Sequence, residues 1–131
     1  MWKGDCTGIM EPLDKALLCL KIIKERKAID PVVFDMEKLT SIADYFIIAS
    51  GNSSRQVQAI SRHLRTKMRE SGVRPIGVEG EQKGHWILMD YGDVVVHIFY
   101  HPVREFYDLE GFWIEAKRIT ANEKDPKEIH L

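Results

Sequence analysis

Four groups of residues in this 131-residue chain have side chains that could do chemistry. Asp90 and Asp93 stand three apart, and His97 and His101 four apart. Gly51-Asn52-Ser53-Ser54 has the makings of a phosphate-cradling turn, and Cys6 and Cys19 are the only thiols. Paired carboxylates hold magnesium when they converge on one ion beside a phosphate substrate. With Gly92-Asp93 as a hairpin turn, Asp93 lies in the turn while Asp90 projects from a strand, so the two diverge. Histidines four apart share a face only on a helix, and here the first falls on a strand and the second beside Pro102. The glycine-asparagine-serine turn could offer free amides and a helix dipole to an anion. The same residues make an ordinary strand-to-helix cap, and they lack the spacing of a P-loop or a dinucleotide fingerprint. The cysteines are too few and too isolated for a disulfide framework or a zinc cluster. No Ser/His/Asp or Cys/His grouping identifies a nucleophile. These residues assign no catalytic site, no metal and no cofactor.

A binding face is better marked. Residues 84–113 read as a tight hairpin about a two-residue Gly92-Asp93 turn. The turn pairs Tyr91 with Val94, Asp90 with Val95, Met89 with Val96, Leu88 with His97, Ile87 with Ile98 and Trp86 with Phe99. Alternation along each strand then puts Ile87, Met89, Tyr91, Val94, Val96 and Ile98 on one face, which is core. The opposite face carries Trp86, Leu88, Asp90, Val95, His97 and Phe99, large rings among ionisable groups. A core face would be purely apolar and a solvated one rich in Lys, Glu and Thr. The mixture suits a surface that is dry when a partner docks and wet otherwise. For His97 the pattern leaves two readings open, packing across the pair against Leu88 or contact with a partner.

Composition sets the limits. Apolar residues make up 44% and charged residues 30%, as in an ordinary globular protein, and the length suits one domain. With 19 basic and 20 acidic residues the net charge is −1, so no global excess points to nucleic acid or a membrane. No apolar run is long enough to span a bilayer, and the first residues lack the apolar stretch of a signal peptide. Sparse cysteine and the absence of such a peptide lead to the expectation of a reducing cytoplasm.

The elements that must position this face follow from periodicity. Residues 11–27 predict an amphipathic helix, with Leu13, Ala16, Leu17, Leu20 and Ile23 inward and Pro12 in its first turn. Leu18 and Ile22 widen its apolar band beyond one core contact, which predicts self-association. Asp30-Pro31 ends the following link. Strands are expected at 32–34 and 44–50, with a turn at 38–43 between them. Ser53 or Ser54 caps a second helix over 54–70, which turns Val57, Ile60, Ser61, Leu64 and Met68 inward and Arg55, Arg62, Arg65, Lys67 and Arg69 outward. Ser71-Gly72 stops it. Residues 73–78 predict a further strand, at an edge because of Pro75, and 79–84 a polar loop. After the hairpin come a short helical or irregular piece at 103–109 and a closing turn at 111–117. The order predicts an α/β domain, a mixed β-sheet partly covered by helices. Residues 1–9 read as a flexible lead-in, 10–117 as the domain and 118–131 as a polar tail.

Three segments carry a resemblance: residues 43–60 (ADYFIIASGNSSRQVQAI), 77–99 (GVEGEQKGHWILMDYGDVVVHIF) and 103–113 (VREFYDLEGFW). Together they resemble the ribosomal silencing factor, or Iojap-like, family over about residues 10–117. The Gly-x-Trp start, the Asp-Tyr-Gly-Asp turn, the Val-His step and the Arg-Glu-Phe-Tyr-x-Leu exit occur in order. The resemblance implies a nucleotidyltransferase-like fold and a protein that docks on the large ribosomal subunit, at large-subunit ribosomal protein fourteen. Docking there would keep the small subunit away and lower translation when nutrients run short. It also implies homodimers and a bacterial cytoplasmic setting, since no Arg- and Ser-rich, acid-poor transit peptide is present.

Carried over by position, the implied contact surface is Trp86, Leu88, Asp90, His97 and Phe99, extended by Arg104, Tyr107 and Leu109. Trp86 and Phe99 would supply buried area, and Asp90 and Arg104 orientation. Two rivals remain. A catalytic nucleotidyltransferase would need a Gly-Ser turn and strand-borne aspartates around magnesium, whereas this chain offers Glu79 and Glu81 in a loop, and fold alone does not transfer activity. An RNA-binding factor would use the basic face of the second helix for minor contacts to ribosomal RNA, but that face is not interleaved with aromatics.

Overall fold

The structure is a computed structural model and describes residues 10–112 and 117–120. Helix α1 (Pro12–Glu25) leads into β1 (Ile29–Asp35), which pairs antiparallel with β2 (Tyr45–Gly51). Asp30 and Pro31 lie inside β1 and not in the link before it. They form an irregularity in which the register slips between Ile29 and Val32, with Asp30 at a φ of 46°. Such a bulge keeps Pro31 out of the ladder, where its missing amide would cost a hydrogen bond.

Helix α2 (Ser54–Glu70) crosses from β2 to the strands that follow it, β3 (Gly77–Glu79), β4 (Trp86–Asp90) and β5 (Val94–Tyr100). Its start is a reciprocal cap. Ser53 Oγ accepts the Gln56 amide at 3.1 Å while Gln56 Oε1 accepts the Asn52 amide at 2.6 Å. The Gly51-Asn52-Ser53 turn thus serves as a helix cap. The crossover lays β5 parallel to β2, and every other pairing in the sheet is antiparallel. The strand order is β3-β4-β5-β2-β1-β6, with β6 (Lys117–Thr120) at the far edge. The polar tail expected from residue 118 therefore begins with three strand residues. Only Ile119 in Lys117–Thr120 is apolar, so the segment has no strand pattern of its own and takes its conformation from pairing with β1.

Both long helices cover one face of the sheet. The buried residues of α2 are Val57, Ile60, Ser61, Leu64 and Met68, and they meet Ile87, Met89, Val96 and Ile98 from the hairpin. Ile22 of α1 belongs to this core and is buried with Cys19 and Ile23, so it does not widen an outer band; Leu13, Leu17 and Leu18 are half-buried around it. On the opposite face lies a second, smaller core of Val32, Phe34, Met36, Ala43, Phe46, Ile48, Val95 and Phe99. Two short helices, α3 (His101–Tyr107) and α4 (Leu109–Phe112), follow β5, and Val103 and Leu109 from them pack on its margin. Among the described residues no helix is long and apolar enough to cross a membrane.

Candidate functional site

The hairpin has the expected register, from Trp86 opposite Phe99 to Asp90 opposite Val95. Tyr91 N–H donates to Val94 O at 2.9 Å and closes it. Gly92 has a φ of 90°, which the turn requires and which a Cβ would oppose. The two aspartates beside it part company. Asp90 Oδ1 accepts the Gly92 amide at 2.8 Å, whereas Asp93 pairs with Lys15 of α1 at 2.8 Å. Among the described residues no group of three or more His, Cys, Asp and Glu side chains could hold a metal ion.

Trp86 is the hinge of an aromatic series that runs from solvent to core. Phe106 meets Tyr107 edge-on at 5.2 Å, and Tyr107 lies 5.1 Å from Trp86, centroid to centroid. Trp86 lies 4.9 Å from Phe99, and Phe99 stacks on His97 at 6.3 Å and 13°. His97 in turn meets Phe46 of β2 edge-on at 5.2 Å. The outer members are open, with Phe106 81% and Tyr107 50% exposed. Trp86 and His85 also line two shallow clefts. One, of about 360 Å³, is completed by Pro102, Val103, Phe106 and Tyr107. The other, of about 540 Å³, is completed by residues 80–83 of the polar loop. Gly80 makes that loop feasible: it has a φ of +87°, and a Cβ there would lie 2.0 Å from Trp86 O.

The surface expected from sequence therefore divides by depth. Trp86, Leu88, Asp90 and Leu109 are half-buried and Tyr107 is exposed, so these five reach the surface. Phe99, His97 and Arg104 do not, at 0, 5 and 6% exposed. In the free chain these three expected contact residues therefore lie beneath the surface that the other five reach. Neighbouring β1 and β2 bring Phe34, Phe46 and Ile48 beside them and turn the middle of the mixed face into core. Arg104 makes four hydrogen bonds inside the chain. Its Nε and Nη2 donate to the two oxygens of Glu110, each at 3.0 Å, and Nη1 donates to Ser50 Oγ at 2.9 Å and Ile29 O at 3.2 Å. The guanidinium holds the Glu110 carboxyl below its ordinary range and ties α3 and α4 to the ends of β1 and β2. His97 Nδ1 accepts the Trp86 indole N–H at 3.1 Å, and burial lowers its pKa to about 4, so the ring is neutral.

Phe106, Val103, Pro102 and His85 line a cleft with Trp86 and Tyr107 and are not among the residues expected from sequence. Their signal was available in part. Val103 and Tyr107 stand four apart, which on a helix puts them on one side. Phe106 precedes Tyr107 in the same motif, but its exposure depends on how α3 docks, which no local pattern gives.

A profile of the family described as "Ribosomal silencing factor during starvation" matches residues 10–130. A protein of Bacillus subtilis (strain 168) named as a ribosomal silencing factor is 42% identical over 92 residues, 70% of this chain and 78% of its own. The crystal structure of a Chromobacterium violaceum protein superposes with a TM-score of 0.79 at 38% identity, covering 86% of this chain and 93% of that one. More distantly, a mouse protein named "Mitochondrial assembly of ribosomal large subunit protein 1" is 27% identical over 99 residues, 73% of this chain and 43% of its own.

Proposed function

The chain belongs to the ribosomal silencing factor family, and on that premise we propose that it represses translation by docking on the large ribosomal subunit. The docking point in this reading is large-subunit ribosomal protein fourteen, and the bound protein keeps the small subunit from joining under nutrient limitation. It acts in the cytoplasm as a binding protein, not as an enzyme. The observation that carries the reading is the open aromatic surface of Trp86, Tyr107 and Phe106 flanked by two clefts. Large rings with their bases fixed by a core make good interface anchors, because little side-chain freedom is lost on binding. Leu88 and Leu109 extend the apolar area, Asp90 stands at the hairpin end of the face, and Phe99, His97 and Arg104 support it from below. The name of the mouse relative supports the choice of subunit.

Two further contacts belong to the proposal. Arg55, Arg62 and Arg69 recur every seven residues along the outside of α2, about 10 Å apart by helical rise. None forms an ion pair among the described residues, which supports a minor contact to ribosomal RNA phosphates beside the main protein contact. Exposed Ile42 and Ile76 support homodimerisation, which sedimentation at micromolar concentration would read as a doubled mass. The central test is a pull-down with tagged protein from a lysate of starved cells. Large subunits should come down without small ones, and recovery of joined ribosomes or of no ribosomal particle would refute the reading.

A further inference from the structure

His97 has an unusual position for a polar ring. It sits 5% exposed on β5, among Phe46, Val95 and Phe99 of the smaller core. Its Nδ1 accepts the Trp86 indole N–H at 3.1 Å, while its Nε2 is buried with no hydrogen-bond partner among the described residues. Because the indole can only donate, Nδ1 must be the unprotonated nitrogen, and the ring proton resides on the unpartnered Nε2. A leucine or phenylalanine would fill this apolar layer without burying an unsatisfied ring nitrogen of its own. The fold therefore has little packing reason for an imidazole at this place.

The geometry supplies another reason. In the hairpin register Trp86 faces Phe99, and His97 is its diagonal neighbour on the same face, two residues along β5. The indole packs on Phe99 at 4.9 Å and on Tyr107 at 5.1 Å, ring contacts that leave open which edge of it faces β5, since a half-turn about Cβ–Cγ keeps the ring plane. The bond to His97 fixes that edge, because the donor must point at Nδ1. We propose that His97 is the positioning residue of the docking surface: it accepts the indole N–H from below and so sets the orientation in which Trp86 lies between its two clefts. This rests on the reading of that surface as the docking site. His97 itself touches no partner. Its contribution is preorganisation, since an indole already held in one orientation loses less freedom on binding.

The test uses the full chain, purified large ribosomal subunits and ¹⁵N-labelled protein. His97→Leu removes the acceptor and keeps the volume. His97→Asn keeps an acceptor, because asparagine Oδ1 occupies roughly the place of imidazole Nδ1 relative to Cβ. The Trp86 indole N–H resonance is assigned by its absence in Trp86→Phe. It should exchange slowly with solvent in the parent and in His97→Asn, and at least about tenfold faster in His97→Leu. Affinity for the large subunit should fall about fivefold or more in His97→Leu, the worth of one neutral hydrogen bond, and return most of the way in His97→Asn. In a Trp86→Phe background, where there is no N–H to hold, adding His97→Leu should cost no further affinity. The proposal is overturned if His97→Leu keeps slow indole exchange, if His97→Asn behaves like His97→Leu, or if His97→Leu costs as much in the Trp86→Phe background as in the parent. Should Trp86→Ala bind as well as the parent, the docking reading fails, and indole exchange alone then decides whether His97 orients the ring.

Discussion

Removing the Arg104 side chain separates a contact residue from a structural anchor. Arg104→Ala deletes four hydrogen bonds of 2.9–3.2 Å, two of them the bidentate pair with Glu110. It leaves Ser50 and the Ile29 carbonyl short of a donor, and a Glu110 carboxylate that is only 20% exposed. Breaking one side of a buried pair costs about 3–5 kcal/mol. Arg118 lies 3.8 Å from Glu110 and remains to neutralise it, which puts the expected loss at the lower end, about 3 kcal/mol. For a chain of this length that is a fall of about 10 °C in Tm. Acid should narrow the difference. Glu110 titrates below its ordinary range in the folded parent, so its stabilisation is complete above the unfolded value and is lost as pH falls through the folded one. The variant has little of this to lose. Urea unfolding of parent and variant at pH 7 and pH 3.5, with large-subunit binding measured at pH 7, gives all the terms. If Arg104→Ala melts within about 1 kcal/mol of the parent yet binds more than tenfold more weakly, the guanidinium meets a partner and its anchoring role is wrong.

Three other outcomes are expected. Trp86→Ala should weaken large-subunit binding by about 2 kcal/mol or more, over tenfold, while costing the fold only about 1–2 kcal/mol, because the indole is half-buried; equilibrium binding and thermal melts check both. His97 is held neutral with its pKa lowered to about 4, so unfolded chains take up a proton that folded ones refuse as pH drops below 6.5. Stability should therefore be complete above pH 6.5 and lose up to about 3 kcal/mol towards pH 4, a loss absent from His97→Leu; parallel curves for the two proteins in urea would contradict this. Gly80→Ala must either move the loop off β4 or strain a φ of +87°, and should cost about 2 kcal/mol or more, against under about 0.5 for Gly77→Ala, whose new methyl meets open space; chemical unfolding of both variants compares them directly.

The parts of this fold that could be read in the chain are those governed by one segment at a time. The five inward residues of α2 follow from a period of 3.6, and the five register pairs of the hairpin from a period of two and a short turn. The Ser53 cap follows from the serine's place between a strand break and an apolar helix. Burial on the mixed face could not be read that way. Phe99 and His97 point where the alternation puts them, yet whether that side meets water depends on Phe46 and Ile48 arriving from β2 and Phe34 from β1, half the chain away. β6 was hidden for the same reason, since a single apolar residue in four makes a strand only beside β1.

Arg104 shows how this affects a reading of function. An arginine within a family motif and beside exposed aromatics invites the assumption that it touches the partner. Ser50 and Ile29, more than fifty residues upstream, receive its Nη1 and give it a structural role inside the chain. A motif residue can recur with a binding surface either because it is the surface or because the surface cannot be built without it. In the proposed reading of this chain the second account covers Arg104, His97 and Phe99, and the first covers Trp86, Tyr107 and Phe106. The two groups are told apart by variants that change binding and stability together and variants that change binding alone.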